Sequence, residues 1–186
     1  MKTQFDIKEI LKIGEIQNEL DLERALIADR KLRVLSKEDP KLKVVRDKLR
    51  DLIKAYEDKN WSPGSRIPEK RLKESDMAEA IAEKERLFIE KRKDLIRSKL
   101  KKYGLSQQEF GTILGHRNKS YISELMNGVS PFTLRDLIVI NRLLKIDLTD
   151  LVPTFLPYGE RAKIKATIQK LENPKLKLNN EDFVLV

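Results

Sequence analysis

The chain lacks cysteine entirely and contains a single histidine, His116, among its 186 residues. Without cysteine it cannot form a disulfide or a thiolate metal site, and one histidine cannot build a His-rich metal site. Glycine and proline are also scarce, at seven each, while 37% of the residues are charged. Together with long stretches of 3.6-residue apolar periodicity, this composition predicts a mostly α-helical protein.

The sequence also lacks long apolar runs and common enzyme motifs. It has neither a run of about eighteen apolar residues nor a signal-like N-terminal pattern, so we expect a soluble, cytoplasmic, nucleoid-associated protein without a membrane partner. Neither a Walker-type loop nor G-x-G-x-x-G occurs. The carboxylates stand at helical spacing among lysines, which is typical of i,i+4 ion pairs rather than acid–base pairs. We therefore expect no catalytic residues, no cofactor and no metal.

Basic residues are in excess and unevenly placed. Lys and Arg number 39 against 30 Asp and Glu, which gives a formal net charge of +9. Residues 90–102 contain seven basic and two acidic residues. Such a surplus is typical of a protein that neutralises phosphates, although a basic run is also compatible with a solvated helix face.

Residues 104–128 have the pattern of two short helices around a tight turn. Ser106 followed by Glu109 predicts a capping box at the start of the first helix, and Gly115 suits its left-handed end. We expect Gly111 to let a neighbouring backbone approach closely. Buried stripes are predicted for both helices: Phe110, Ile113 and Leu114 in the first, and Ile122, Leu125 and Met126 in the second. The pattern indicates a helix-turn-helix; the alternative is an ordinary αα-hairpin.

Segments 105–111 (LSQQEFG) and 122–128 (ISELMNG) resemble the XRE/Cro class of helix-turn-helix domains, which is lambda repressor-like and has five helices. The likeness continues to Pro153, with a fourth helix around 134–144 and a short fifth in 147–152 (DLTDLV). The resemblance implies a DNA-binding domain over residues 90–153. Because one such domain reads only a few base pairs, we expect a homodimer on double-stranded operator DNA.

The donors, acceptors and ring on the outward face of the second helix suit base edges and phosphates in a major groove. Tyr121 could instead pack into the domain. We expect Arg97, Lys101 and Gln107 to contact phosphates rather than bases. The predicted DNA-binding residues are Arg97, Lys101, Gln107, Arg117, Asn118, Lys119, Ser120, Tyr121, Ser123 and Glu124.

The N-terminal part, residues 1–66, has the pattern of a helical hairpin. Asn18 predicts the cap of one helix, and Asp39 with Pro40 predicts the start of the next. The apolar residues between Ile10 and Ile16 fit either a short strand or a helical turn. Turn-forming residues in 61–68 predict a domain boundary, followed by a linker or extended helix over 67–89 that could start at Asp76. The pattern fits either one helix of nearly thirty residues that leads into the helix-turn-helix or two separate helices.

Segments 22–26 (LERAL) and 49–59 (LRDLIKAYEDK), followed by an XRE-type domain, resemble HigA-type antitoxins of bacterial type II toxin–antitoxin pairs. The resemblance implies a HigB-like toxin partner, an mRNA endonuclease, and repression of the chain's own operon. The alternatives are a stand-alone regulator whose N-terminal region serves dimerisation or effector binding, and an adaptor without DNA binding. Acidic hairpin residues could complement a basic toxin: Glu19, Asp21, Glu23, Asp47 and Asp51.

The C-terminal extension, residues 154–186, has the pattern of one helix over about 160–171. Beyond it, apolar residues in 176–178 and 183–186 flank a polar turn and fit a β-hairpin. The alternative for this last part is a frayed terminus.

Overall fold

The structure is a computed structural model that describes residues 5–61, 67–154, 156, 158–173 and 175–176. The chain divides into two compact units, residues 1–152 and 153–186. All regular secondary structure of the described residues is helical, which confirms the predicted mostly α fold. The proposed β-hairpin lies almost wholly outside the described residues. Among the described helices, none combines the length and apolar character needed to span a bilayer.

Eight helices lie in the first unit and one in the second, within the described ranges. Their bounds are α1 Ile7–Ile13, α2 Glu19–Leu35, α3 Lys41–Asn60, α4 Glu69–Lys102, α5 Gln107–Leu114, α6 Lys119–Asn127, α7 Leu134–Leu144, α8 Leu148–Leu151 and α9 Tyr158–Lys170. Helix α9 corresponds to the helix expected over residues 160–171.

Side-chain hydrogen bonds mark the starts of the first three helices, although the residue at the N-cap of α3 is Pro40 and not the predicted Asp39. The apolar residues between Ile10 and Ile16, which fitted either a strand or a helical turn, begin within helix α1. Asp6 caps the start of this helix and Gly14, at φ 80°, ends it. The Asn18 side chain accepts a hydrogen bond from the backbone N–H of Asp21 at 2.9 Å, as expected of the predicted cap of α2. Asp39 accepts one from the N–H of Lys41 at 3.0 Å, so it satisfies a donor at the start of α3.

Helices α1, α2 and α3 pack around one hydrophobic cluster, which we call the N-terminal core. It is built from buried residues of 5–53 together with Val129. Ion pairs connect the helices. Nε of Arg46 on α3 lies 2.8 Å from Oδ1 of Asp29 on α2, and Arg24 of α2 pairs with Glu85 of α4. The predicted hairpin is therefore formed, and its helix α2 lies against α4.

Helix α4 is one continuous helix of 34 residues that starts at Glu69, seven positions before the predicted start at Asp76. Its first turns carry charged residues without an apolar stripe, so the periodicity gave no signal there. Exposed i,i+4 ion pairs support this segment instead, Lys73 with Glu69 at 2.7 Å and Lys70 with Glu74 at 3.8 Å. The second half of α4 joins helices α5 to α8 around a second hydrophobic cluster, which we call the C-terminal core.

Candidate nucleic-acid interface

Helix α5 starts at the predicted capping box. The Ser106 hydroxyl accepts a hydrogen bond from the N–H of Glu109 at 3.2 Å, and Glu109 Oε2 accepts one from the N–H of Ser106 at 2.8 Å. The hydrogen bonds from the Ser106 side chain and then its backbone lower the pKa of the Glu109 carboxyl. Gly115, at φ 86°, ends the helix as expected. These caps place α5 and α6 on either side of a short turn.

The close approach at Gly111 is made mainly by a side chain, not by backbone as expected. A Cβ added to Gly111 would lie 2.5 Å from Cγ1 and 2.8 Å from Cδ1 of Ile122, and 3.1 Å from the carbonyl oxygen of His116. Ile122 lies in the C-terminal core and is 2% exposed. The absence of a side chain at Gly111 therefore lets α6 seat its first buried residue directly on α5.

The turn between α5 and α6 is tied to the rest of the domain. Nε2 of His116 lies 3.1 Å from Oδ1 of the buried Asp136, and the His116 ring meets the Tyr121 ring edge-on at 5.2 Å between centroids. Asn118 caps α6, because its side-chain oxygen accepts hydrogen bonds from the N–H groups of Ser120 at 2.9 Å and Tyr121 at 3.4 Å. The direction of α6 is thereby set from both the turn and α7.

Three predicted DNA-binding residues lie exposed at the start of α6: Arg117, Asn118 and Lys119. The side-chain oxygen of Asn118 caps α6. Two cationic side chains thus flank a helix N-terminus, where the partial positive charge of the helix also favours a phosphate.

The other predicted residues of α6, Ser120, Tyr121, Ser123 and Glu124, are partly buried. Glu124 Oε2 accepts a hydrogen bond from the hydroxyl of Ser130 at 2.9 Å. Burial, and then the negative charges of Asp136, Glu124 and Asp6, raise the pKa of Tyr121. Tyr121 also packs against the C-terminal core. The same ring would therefore serve both expected roles, contact with DNA and packing into the domain.

The structure brings together the three residues predicted to contact phosphates. Arg97, Lys101 and Gln107 line one shallow depression where α4 ends and α5 begins, together with Gly104 and Ser106. Arg97 and Lys101 are exposed, one turn apart on α4, and Gln107 is the first residue of α5. The depression combines two cations with the N-terminus of a helix, an arrangement suited to an anionic backbone.

Residues 96–151 match the family model described as Helix-turn-helix. Residues 96–151 form an XRE-type helix-turn-helix domain. The match begins in the second half of α4 and ends at the last residue of α8, so it covers the helices around the C-terminal core. Comparison with curated proteins and with solved structures gave no match. A helix-turn-helix domain of this kind supports sequence-specific DNA binding and transcription regulation.

The acidic residues predicted to bind a partner fall into two sets. Asp47 and Asp51 are exposed, one turn apart on α3, whereas Asp21 and Glu23 of α2 are partly buried. Glu19 differs from the expectation of a free acidic side chain, because it is only 9% exposed and its Oε1 accepts a hydrogen bond from the Tyr56 hydroxyl at 3.0 Å. Surface complementarity would therefore rest chiefly on α3.

Sequence reasoning missed the side chains that reach α6 from the N-terminal helices. The Lys8 amino group of α1 lies 5.0 Å from the centroid of the Tyr121 ring. A hydrogen bond from Ser120, followed by the one from the Lys41 N–H, lowers the pKa of the Asp39 carboxyl. Lys31 of α2 donates a hydrogen bond to the carbonyl oxygen of Asn127 at 2.8 Å. Neither periodicity nor a motif signals contacts so distant along the chain.

Proposed function

We propose that the chain is an antitoxin that binds operator DNA through its helix-turn-helix domain, represses its own operon and neutralises a HigB-type mRNA endonuclease. The observation that carries the DNA-binding part is the geometry at the start of α6. There Arg117, Asn118 and Lys119 are exposed at a capped helix N-terminus that Gly111 seats on α5. Arg97 and Lys101 add a second cationic site at the start of α5.

The arrangement of charges supports division of the contacts into two kinds. Arg97, Lys101 and Gln107 would hold phosphates and set the register of the domain on the duplex. Lys119 and the polar residues that follow it would read base edges in the major groove. A homodimer would place two such helices on the halves of a palindromic operator.

The antitoxin part rests on the resemblance of segments 22–26 and 49–59 and on the surface of α3. Asp47 and Asp51 present two exposed carboxylates on one side of that helix. A ribonuclease that binds mRNA needs a basic active site, and the Asp47–Asp51 pair is a complementary feature for it on a helix that otherwise carries seven basic residues. In this proposal α1 to α3 serve the partner and residues 90–153 serve DNA.

A second candidate is a stand-alone transcription regulator whose N-terminal helices serve dimerisation or effector binding. This candidate is favoured because acidic side chains of α2 make contacts within the protein. Glu19 accepts a hydrogen bond from the Tyr56 hydroxyl, and the Asp21 side chain contacts those of Asn18 and Arg24. Fewer acidic groups are then available to a toxin than the sequence suggested.

DNA binding is tested by fluorescence anisotropy with a duplex from immediately upstream of the chain's own gene and with a scrambled duplex of equal composition. We expect tighter binding to the upstream duplex and a linear fall of log affinity with log salt concentration. Equal binding to both duplexes at all salt concentrations would contradict sequence-specific regulation.

Neutralisation is tested by co-expressing the full chain with the product of the adjacent gene and following growth and co-purification. The double variant Asp47→Lys/Asp51→Lys should lose both rescue of growth and the complex, while Glu57→Lys, an exposed charge reversal elsewhere on α3, should keep them. A neighbouring product that is harmless, or that does not co-purify, would favour the stand-alone regulator.

A further inference from the structure

The first turn of α6 is in contact with two N-terminal segments. Lys8 of α1 lies against the face of Tyr121, with its amino group 5.0 Å from the ring centroid. Ser120 also lowers the pKa of the Asp39 carboxyl, in the turn between α2 and α3, so these two side chains lie near each other. Both contacts are made to residues predicted to reach DNA. Only Arg117, Asn118 and Lys119 remain exposed at this end of the helix.

The last turn of α6 is held by the same N-terminal helices. The Lys31 amino group donates to the carbonyl oxygen of Asn127 at 2.8 Å, and it also lies 3.4 Å from Oε1 of Glu90 on α4. Lys93 of α4 donates to the side-chain oxygen of Asn127 at 2.8 Å. Val129, just after α6, is 3% exposed and belongs to the N-terminal core. The N-terminal helices thus contact both ends of α6.

The junction between these helices and the helix-turn-helix domain is mostly polar. Among the described residues, Val129 is the one member of the N-terminal core that comes from residues 96–151, and the C-terminal core contains no residue before Leu95. Side-chain contacts across this junction include the Lys31–Asn127 hydrogen bond and the Lys8–Tyr121 contact, while α2 also packs on α4, the helix that continues into the domain. Polar junctions with little shared apolar surface are typical of domains that separate and dock reversibly.

With the N-terminal segments docked on it, the predicted recognition helix α6 is too broad to enter the major groove of DNA. The major groove of B-DNA is about 12 Å wide and admits one helix of about 10–12 Å diameter, side chains included. With α1 and the α2–α3 turn against its first turn, α6 has no room to enter with Ser120 and Tyr121 at the base edges. Ser120 and Tyr121 therefore belong both to the predicted DNA-reading surface and to the surface that contacts the N-terminal segments.

We propose that α1 to α3 form an autoinhibitory element that covers the DNA-reading face of α6 and leaves it when DNA binds. This inference rests on the proposed function of α6 as the recognition helix. The measured affinity for operator DNA is then the intrinsic affinity reduced by the fraction of molecules that are undocked. A partner that binds the undocked N-terminal helices would strengthen DNA binding, and one that binds the docked arrangement would weaken it.

The first test is Lys31→Met, which removes the hydrogen bond to the carbonyl oxygen of Asn127 and keeps most of the apolar part of the side chain. We expect operator affinity to rise about three- to tenfold, because the docked state loses stability. Loss of a positive charge alone would weaken DNA binding, so the direction of the change is diagnostic. The control is Arg33→Met, an exposed position on the same helix with the same loss of charge.

The second test locks the docked state. Since the chain has no cysteine, Lys31→Cys/Asn127→Cys provides a unique pair that a short dimaleimide can join. We expect the linked protein to bind the operator at least about tenfold more weakly than the unlinked pair. Each single-cysteine variant treated with the same reagent should bind like its untreated form. Circular dichroism verifies that every variant is folded.

The outcomes separate the two proposals. If the parent chain does not bind its upstream duplex specifically, the proposed function fails. If the parent binds, but Lys31→Met binds no tighter than Arg33→Met and linkage has no effect, the autoinhibitory element is overturned. Weaker binding by both Lys31→Met and Lys8→Ala would also overturn it, since the N-terminal helices would then extend the DNA interface instead of covering it.

Discussion

Nε2 of His116, in the turn of the helix-turn-helix, lies 3.1 Å from Oδ1 of Asp136 on α7. Asp136 is 1% exposed, and its other oxygen accepts a hydrogen bond from the N–H of Thr133 at 3.0 Å. One buried carboxylate therefore caps α7 and anchors the turn that leads into α6. Through this contact the single histidine of the chain connects the turn to the fourth helix of the domain.

His116→Ala should destabilise the protein by about 1–3 kcal/mol, because the buried Asp136 carboxylate loses a donor. Urea denaturation followed by circular dichroism measures the change. Arg117→Ala, one residue further along and exposed, is the matched control and should leave the free energy of unfolding within about 0.5 kcal/mol of the parent. Equal stability of the two variants would show that the Asp136 contact contributes nothing.

Gly111→Ala should destabilise the helix-turn-helix domain by about 1–3 kcal/mol through overpacking, although alanine is the better helix former. The reason is the added Cβ, which would lie 2.5 Å from Cγ1 of Ile122. Thermal unfolding of Gly111→Ala is compared with that of Thr112→Ala, an exposed neighbour on the same helix. If both variants melt at a higher temperature than the parent, α6 shifts on α5 to accommodate the added Cβ, and the predicted overpacking is wrong.

Tyr56→Phe should destabilise the N-terminal core by about 1–3 kcal/mol, because the buried Glu19 carboxylate loses its donor. Burial, and then the hydrogen bond to Glu19, raise the pKa of Tyr56 from 10.0 to about 12. A raised pKa stabilises the fold fully below the unfolded value, and this contribution is lost as pH rises from about 10 through about 12.

The difference in unfolding free energy between the parent and Tyr56→Phe should therefore shrink over that alkaline range. Tyr103→Phe, at a position 49% exposed, is the control and should show no such convergence. A difference that stays constant with pH would exclude Tyr56 as the titrating group.

The elements that sequence predicted correctly depend on contacts within a few residues. The Ser106–Glu109 capping box, the left-handed end at Gly115 and the Asn18 cap all involve neighbours three or four positions apart. The start of α4 was predicted too late, because Glu69 and Lys73 support it through an ion pair rather than an apolar stripe.

Long-range contacts escaped prediction for the opposite reason. Lys31 and Asn127 are 96 positions apart, and nothing in either segment indicates that they meet. The same holds for Lys8 with Tyr121 and for Glu19 with Tyr56, whose pairing depends on how whole helices pack. The candidate DNA-binding residues from 117 to 124 thus lie in or next to α6, while the N-terminal side chains that contact this helix were not anticipated.

Lys119→Ala should weaken operator binding by about 1–3 kcal/mol without changing the melting temperature, since Lys119 is exposed at the start of α6. Tyr121→Phe is the sharper variant at its position, because it removes the hydroxyl and keeps the ring packed against His116. Lys48→Ala, an exposed lysine of α3, is the control. Unchanged affinity in both α6 variants, measured by anisotropy, would exclude this face from DNA binding.

Lys101→Ala should weaken binding to operator and scrambled duplexes alike. Lys101 lies beside Arg97 and Gln107 in the depression at the start of α5, where a phosphate contact carries no sequence information. The slope of log affinity against log salt concentration should fall in magnitude by about one, since one fewer phosphate is neutralised. Lys119→Ala provides the contrast, because it should reduce the preference for the operator over the scrambled duplex. A selective loss of operator binding in Lys101→Ala, with an unchanged salt slope, would assign Lys101 to base reading instead.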